Sequence, residues 1–477
     1  MNKSEQKRNP DFKPGNKIGG YSVKKLVELK EQDSVFYELE HIATGAKHIH
    51  IGCEDTENTF SVAFKTVPFD STGVAHILEH TVLCGSANFP VRDPFFSMIK
   101  RSLSTFMNAF TASDWTMYPF ATQNRKDFYN LMDVYLDAAF FPNIDELNFK
   151  QEGHRIEIEK KTADKGSKTD FLVYKGIVYN EMKGAMSSPD QVMARSLLNA
   201  LYPDTTYRFN SGGEPSDIPK LTHAELVAFH KRHYHPSNAF FYTYGNLPLK
   251  EHLAFIEEHV LSRFERIDPD TEVPSQKRWT AHRKVSYSYP LGQNEKPDKK
   301  YQICLAWLMA DVRDTFENLA VSIIGHILLG NSASPLRKAL IDSGLGSTLC
   351  DGTGFDMDNR DTMFVAGLKD VTSSDAPKIE TIILKVLRDL AENGIEKRMV
   401  ESALHQIEFH KKEITNTPYP YGIKLVMRMG STWFHGGSAE DVLQFDSSIE
   451  RIRREFENGQ FFENLLKKYF LNNHHRV

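Results

Sequence analysis

The sequence predicts an α+β fold in two domains. At 477 residues the chain is longer than one ordinary core accommodates. Strand-like runs and amphipathic helical runs both occur along it. A strand, a helix and a terminal glycine in the first part are echoed by Tyr301–Ala310, a helix from Thr315 to Leu329, and Gly330-Asn331.

Taken in order, residues 1–20 read as a flexible lead and 21–267 as the first domain. Val35–Glu40 and Lys47–Ile51 predict two strands across the turn Ala43-Thr44-Gly45, and Thr59–Thr66 a third. His48 and His50 share a strand face, but on a surface hairpin without a nearby carboxylate they are expected to be structural. A helix then carries His76-Ile77-Leu78-Glu79-His80, with Gly85 as its stop. Asp93 and Pro94 open the next helix, through Lys100. Thr105–Phe110 and Trp115–Phe120 read as strands, Asn124–Phe140 and Ile144–Glu152 as helices, and His154–Glu159 as a strand before an exposed polar loop, Lys160–Asp170. Tyr174–Leu201 reads as one long helix, and Ser211-Gly212-Gly213 as a loop near the site. Leu221–His233 is a helix, Asn238–Tyr244 a strand, and Glu251–Phe264 a helix. His230, His233 and His235 do not share one helix face and are expected to be structural. Asp268–Arg278, with Pro269, Pro274 and mixed charge, reads as the linker, and 279–477 as the second domain.

Composition excludes several classes. A net charge of −5 gives no bulk attraction to nucleic acid. No apolar run approaches membrane-spanning length, and the N-terminal residues show neither a signal peptide nor an organelle-targeting segment. The expectation is a soluble intracellular, by default cytoplasmic, protein. The four cysteines are dispersed, which argues for reduced thiols. Cys84, four residues past His80, is expected to be a small buried residue rather than a ligand. No G-x-S-x-G elbow or phosphate loop competes with the histidine helix.

On a helix, residues 76 and 80 lie one turn apart on one face, so both imidazoles can address one ion. Glu79 sits near that face and can reach a water without ligating. This is the inverted zinc-peptidase order, H-x-x-E-H. Zinc suits two neutral imidazoles and a carboxylate, with a fourth position open to water. Such a polar trio inside an apolar helix is costly to bury unless paired or ligated. The third ligand stays open on this reading: Glu152, Glu157 and Glu181 are all candidates.

Four dispersed segments carry a resemblance: His76–Gly85, Ser104–Phe120, Gly176–Gly184 (Gly-Ile-Val-Tyr-Asn-Glu-Met-Lys-Gly) and Tyr234-His235-Pro236. With them the chain resembles, almost end to end, the N-terminal half of the presequence protease family, inverzincin metallopeptidases of the M16 group related to insulin-degrading enzyme and pitrilysin. The resemblance implies two repeated M16-type domains, each a mostly antiparallel sheet with packed helices, LuxS/metallohydrolase-like. It implies a zinc endopeptidase with ligands His76, His80 and Glu181 and the base Glu79. It also implies substrate contacts at Asn108, Ala109 and Phe110, on a strand that pairs with the backbone of a bound peptide. Members enclose unstructured peptides between two halves and take an Arg and a Tyr from the second. This chain is expected to need that C-terminal half, in cis or in trans. The family's eukaryotic members work in mitochondria and plastids. The rival reading is a non-catalytic zinc-binding scaffold or regulatory subunit; the intact Glu79 weighs against it.

In the second domain, aligning Gly330 with Gly85 puts Val321, Ile324 and Gly325 where the first copy has His76, Glu79 and His80. The second copy is thus expected to keep the fold without the site. Leu345–Gly354 and Thr362–Leu368 continue the sheet. Asp375–Gly394, Glu396–Glu413, Gly422–Gly430 and Phe461–Leu471 are helices, and the domain is expected to be cut short at its C-terminal edge.

Overall fold

The structure, a computed structural model, describes residues 12–162 and 168–477. Its contacts divide into two compact units. Met1–Ala185, Phe209–Glu272 and Ile414–Arg428 make the first; Met186–Arg208, Val273–Glu413 and Met429–Val477 make the second. Each is α+β, a sheet with helices packed on it.

The chain begins with β1 (Lys17–Ile18), β2 (Tyr21–Leu29), β3 (Ser34–His41), β4 (Lys47–Gly52) and β5 (Asn58–Lys65). Then follow α1 (Val74–Val82), α2 (Pro94–Arg101), β6 (Ser104–Met107), β7 (Phe110–Thr111), β8 (Trp115–Thr122), α3 (Arg125–Phe140) and α4 (Glu146–Glu152). A hairpin of β9 (Arg155–Thr162) and β10 (Lys168–Lys175) leads to α5 (Ile177–Ala185) and, in the second unit, α6 (Pro189–Leu201). The first unit resumes with α7 (His223–His233), β11 (Ala239–Gly245) and α8 (Leu249–His259).

The first sheet runs β1-β2-β3-β4-β11-β5-β8-β6, with β7 also on β8. It is antiparallel except for β4 and β11, which are parallel. Every residue of β5 is buried, as expected of a central strand covered on both faces. Phe60, Val62 and Phe64 of β5 share a core with Ala75, Ile77, Leu78 and Val82 of α1 and with Phe128, Leu131 and Tyr135 of α3. Each such side chain contributes about 1.5–3 kcal/mol by leaving water. That apolar stripe fixes α1 against the sheet and decides where its polar residues point.

Several expectations change. β2 was not evident because a register shift between Val23 and Lys25 breaks its alternation. Residues 12–20 belong to the first unit's packing: Phe12 is buried edge-on to Tyr37, 5.5 Å between ring centroids, and β1 pairs with β2. β4 is no surface hairpin strand, because β11 closes on its free edge and buries His48 and His50. The polar loop after β9 is largely strand: β10 pairs with β9, Tyr174 opposite Ile156, and residues 163–167 lie outside the described residues. The long helix from Tyr174 is a strand and two helices. It breaks at Gly176, where a Cβ would stand 2.0 Å from the Gly153 carbonyl oxygen, and again before Pro189, the first residue of α6.

The second unit continues with β12 (Tyr301–Asp311), α9 (Thr315–Leu329), α10 (Pro335–Asp342), β13 (Thr348–Leu349), β14 (Gly354–Asp356) and β15 (Asp361–Val371). Then come α11 (Ala376–Asn393), α12 (Lys397–Lys412), α13 (Tyr421–Phe434), whose residues up to Arg428 belong to the first unit, α14 (Ala439–Leu443), α15 (Asp446–Glu457) and α16 (Phe461–Leu466), which runs on as a wider turn over Lys467–Leu471. Its sheet, β12-β15-β13 with β14 on β15, is antiparallel. Val477 exchanges both backbone hydrogen bonds with Ala306, at 2.9 Å each, so the last residues run beside β12. Ser275 and the Gln276 amide are fixed to the buried Asp361 carboxylate, which also accepts from Arg278 at 3.0 Å. In α9, Val321, Ile324 and Gly325 are buried in an apolar core.

Candidate metal centre

α1 starts where the chain is pinned by a close glycine contact. Gly73 has φ 72°, and a Cβ there would stand 2.8 Å from the Gly212 carbonyl oxygen and from Gly213 Cα. The Ser71 carbonyl accepts from the Glu214 amide at 2.8 Å, and the Ser71 hydroxyl oxygen from the Asn210 amide at 3.1 Å. The loop thus lies over the first turn of α1 and brings the Gly212 carbonyl within 3.2 Å of His76 Nδ1. On the next turn, His80 Nδ1 lies 3.1 Å from Oε2 of the buried Glu152, at the end of α4.

With both Nδ1 atoms engaged, the Nε2 atoms face α5. Glu181 Oε2 lies 3.7 Å from His76 Nε2 and 3.9 Å from His80 Nε2. One ligand atom from each of His76, His80 and Glu181 lies within 4.8 Å of the others; among the described residues this is the group of histidines, cysteines and carboxylates close enough to hold a metal ion. Two imidazoles and a carboxylate are a zinc-type donor set, and each imidazole has its other nitrogen on an oxygen acceptor, the usual supporting arrangement of ligating histidines. Burial alone would lower the His80 pKa. The Glu152 hydrogen bond and the charges of Glu79, Glu152 and Glu181 outweigh it and hold the imidazole above its ordinary value. Three carboxylates around two imidazoles leave an excess of negative charge that a cation would balance. The Glu181 side chain is 54% exposed against 13% for His76, so the cluster opens on the α5 side.

Glu79 is buried on α1. The Thr111 hydroxyl, on β7, donates to its Oε2. Nothing local in the sequence marks Thr111, and only the pairing of β7 with β8 beside α1 reveals it. The third-ligand candidates occupy different places: Glu181 faces both Nε2 atoms, Glu152 holds His80 Nδ1, and Glu157 pairs with Arg155 on β9.

Asn108 and Ala109 lie between β6 and β7 and Phe110 opens β7, at the sheet edge that β6 forms. The strand expected over Thr105–Phe110 is interrupted there. Asn108 is exposed; its side-chain oxygen accepts from the Ala109 amide at 2.9 Å and its own amide donates to the Pro119 carbonyl at 3.2 Å. Phe110 and Phe106 stack at 6.2 Å, and Tyr419, from the returning segment of the first unit, meets Phe106 edge-on at 5.6 Å.

The other histidines that the sequence singles out have hydrogen-bond partners within the protein. His48 Nε2 and His50 Nδ1 share the Thr243 hydroxyl at 2.9 and 2.8 Å. His230 bonds the Ala139 carbonyl and His233 that of Phe229, both at 2.9 Å, while His235 Nδ1 accepts from the Ser237 amide at 3.1 Å. The buried Cys84 thiol donates to the His80 carbonyl at 3.5 Å, and burial pushes its pKa up to about 12.

Residues 68–206 match the family described as Insulinase (Peptidase family M16), and residues 220–407 the Peptidase M16 inactive domain. The chain is 46% identical to the mitochondrial presequence protease of Xenopus tropicalis, over 100% of this chain and 46% of that protein. It is 42% identical to that of Mus musculus, over 100% and 46%, and 38% identical to Protein HypA of Clostridium perfringens, over 98% and 47%. The chain therefore spans a little under half the length of these relatives. Among solved structures, a protease from Helicobacter pylori superposes with a TM-score of 0.62 at 16% identity, covering 95% of this chain and 97% of that one. Pitrilysin does so at 0.61 and 15%, covering 93% and 46%. At these identities the two structures speak for the fold alone. Among the described residues no helix is long and apolar enough to cross a membrane.

Proposed function

Because this chain belongs to the M16 (insulinase) family of zinc metallopeptidases, we propose that it carries the catalytic half of a zinc-dependent endopeptidase that degrades unstructured peptides. The observation that carries the reading is the convergence of His76, His80 and Glu181 within 4.8 Å, with the buried Glu79 carboxylate on the same helix. His76, His80 and Glu181 would hold zinc, which when bound supplies Lewis acidity to a scissile carbonyl and makes water there easier to deprotonate. Glu79 takes the proton from the attacking water and delivers it to the amine that leaves. Gly212 and Glu152 keep the two imidazoles turned with Nε2 toward Glu181. The peptide lies along the open edge of β6 near Asn108, Ala109 and Phe110, adding a strand through main-chain hydrogen bonds and so demanding little of the sequence. The second, inactive-type domain takes no metal: its residues in the positions of the histidine helix are Val321, Ile324 and Gly325.

The test is metal analysis with peptide turnover. The purified protein is expected to hold one zinc per chain, and His80→Ala and Glu181→Gln to lose most of it. Glu79→Gln is expected to keep the zinc and lose turnover, since the base acts on water and not as a ligand. Full zinc occupancy in both ligand variants, or parental turnover in Glu79→Gln, would refute the reading.

A further inference from the structure

We infer that Thr111 is a positioning residue for Glu79, an inference that rests on the base role proposed above. Among the described residues, Thr111 is the side chain that hydrogen-bonds the Glu79 carboxylate. An ionised carboxylate only accepts, so the Thr111 hydroxyl must donate to it. The hydroxyl oxygen can then accept a hydrogen bond only from behind. Thr116 lies directly opposite Thr111 in the β7–β8 ladder, with its Oγ1 3.4 Å away. The Thr66 hydroxyl lies 2.8 Å from that of Thr116, and both of these residues are fully buried. The Thr66, Thr116 and Thr111 hydroxyls therefore lie in succession behind one carboxylate oxygen of Glu79.

The geometry divides the carboxylate. Oε2 is held by Thr111, which leaves Oε1 to accept a proton. A buried carboxylate without that donor would lose that side-chain hydrogen bond and the restraint on its torsion angles. Threonine suits the task because its branched Cβ limits χ1, so the hydroxyl is aimed before substrate arrives. Serine would make the same bond with a looser rotor, and valine would keep the shape and lose the bond.

The experiment uses Thr111→Val and Thr111→Ser in the zinc-loaded protein, assayed on a flexible peptide with the C-terminal half supplied where the chain alone is too slow. A second readout is a thermal-unfolding double-mutant cycle of Thr111→Val with Glu79→Ala, which removes the acceptor, in the zinc-free protein. Thr111→Val is expected to keep one zinc per chain and a KM within about twofold while kcat falls roughly tenfold, the worth of one hydrogen bond to a charged group. Thr111→Ser is expected to recover kcat to within about threefold of the parent. In the zinc-free cycle, the shift caused by Thr111→Val is expected to shrink by at least half when Glu79 is already Ala. Unchanged kcat in Thr111→Val beside an active parent, or an additive cycle, overturns the inference. A parent without Glu79-dependent turnover overturns the base role and this inference with it, while the cycle still reports separately whether the Thr111–Glu79 bond exists.

Discussion

His80 Nδ1 stands 3.1 Å from Oε2 of Glu152. Glu152 is buried, so its carboxylate cannot swing to the open side of the cluster, where Glu181 lies. The two glutamates therefore differ in what their loss does. Glu181→Gln removes a candidate ligand and is expected to abolish tight zinc binding. Glu152→Ala frees the His80 ring and is expected to weaken zinc affinity about 10–100-fold, the usual cost of losing such an orienting partner. Glu152→Gln retains an acceptor oxygen and should fall between Glu152→Ala and the parent. Competition with a chelator of known affinity measures all three. Equal losses for Glu152→Ala and Glu181→Gln would show that Glu152 is itself a ligand.

Acid should destabilise the first unit through histidines remote from the metal. His48 and His50 are fully buried and neutral, and burial lowers both from 6.5 to about 3. His252, whose ring centroid lies 5.8 Å from that of His50, is lowered as well, chiefly by burial. Its Nδ1 meets the Tyr129 hydroxyl at 3.2 Å, and Tyr129 in turn donates to Glu251. The folded state binds fewer protons than the unfolded chain, so the stability these residues contribute is complete above pH 6.5 and is lost as pH falls from there toward 3. Each neutral histidine costs roughly 1.4 kcal/mol per pH unit below its unfolded value. The expected outcome is a steep fall in the Tm of zinc-free protein between pH 6.5 and about 4.5, shallower in His50→Gln. An equal slope in that variant would place the acid sensitivity elsewhere.

How much of this was legible in the sequence follows from the range of the interactions. The histidine pair on α1 is a contact between residues 76 and 80, set by helical geometry, and it could be read directly. Glu181 joins it from beyond α2, α3, α4 and the strands β6 to β10, and no spacing rule spans that distance; resemblance alone singled it out. The burial of His48 depended on β11, almost two hundred residues later, so a strand that looks peripheral locally lies inside the sheet. Gly212 was expected near the site, but its carbonyl bond to His76 needed the backbone approach to Gly73. Thr111 was invisible because a threonine in a two-residue strand has no periodicity to read. β10 was missed, its start read within the loop Lys160–Asp170 and its end within the helix from Tyr174, because it exposes apolar residues such as Phe171 and Leu172, against the usual inward pattern of a strand.

Substrate choice should follow chain flexibility. β6 is the edge strand of the sheet, and a peptide can pair with it only when its own backbone groups are free. A flexible peptide of a few tens of residues is expected to be cut, and the same sequence embedded in a stable domain to resist. Asn108→Ala should raise KM more than it lowers kcat, since the residue is exposed beside that edge and makes no hydrogen bond to Glu79. Comparable kcat/KM for the free and the embedded sequence would contradict pairing at the edge.

The last prediction concerns the chain by itself. It carries the candidate ligands and the base, yet its presequence protease relatives are about twice as long, with 46% of their length matched here. The resemblance implies that the second half of such proteins closes over the peptide and brings an Arg and a Tyr to the developing oxyanion. Loss of one oxyanion donor costs about 100-fold or more in rate, and an open site weakens each electrostatic contact by admitting water. The 54% exposure of Glu181 is in keeping with a site that something else must cover. The isolated chain is therefore expected to bind zinc normally but to turn over peptide about 100-fold or more slowly than after addition of the C-terminal half of a relative. Zinc content separates this from a ligand defect, and a Glu79→Gln chain in the same mixture separates it from activity of the added half. High Glu79-dependent turnover by the isolated chain, unchanged on addition, would mean that His76, His80, Glu181, Glu79 and Thr111 suffice and that enclosure comes from the chain itself.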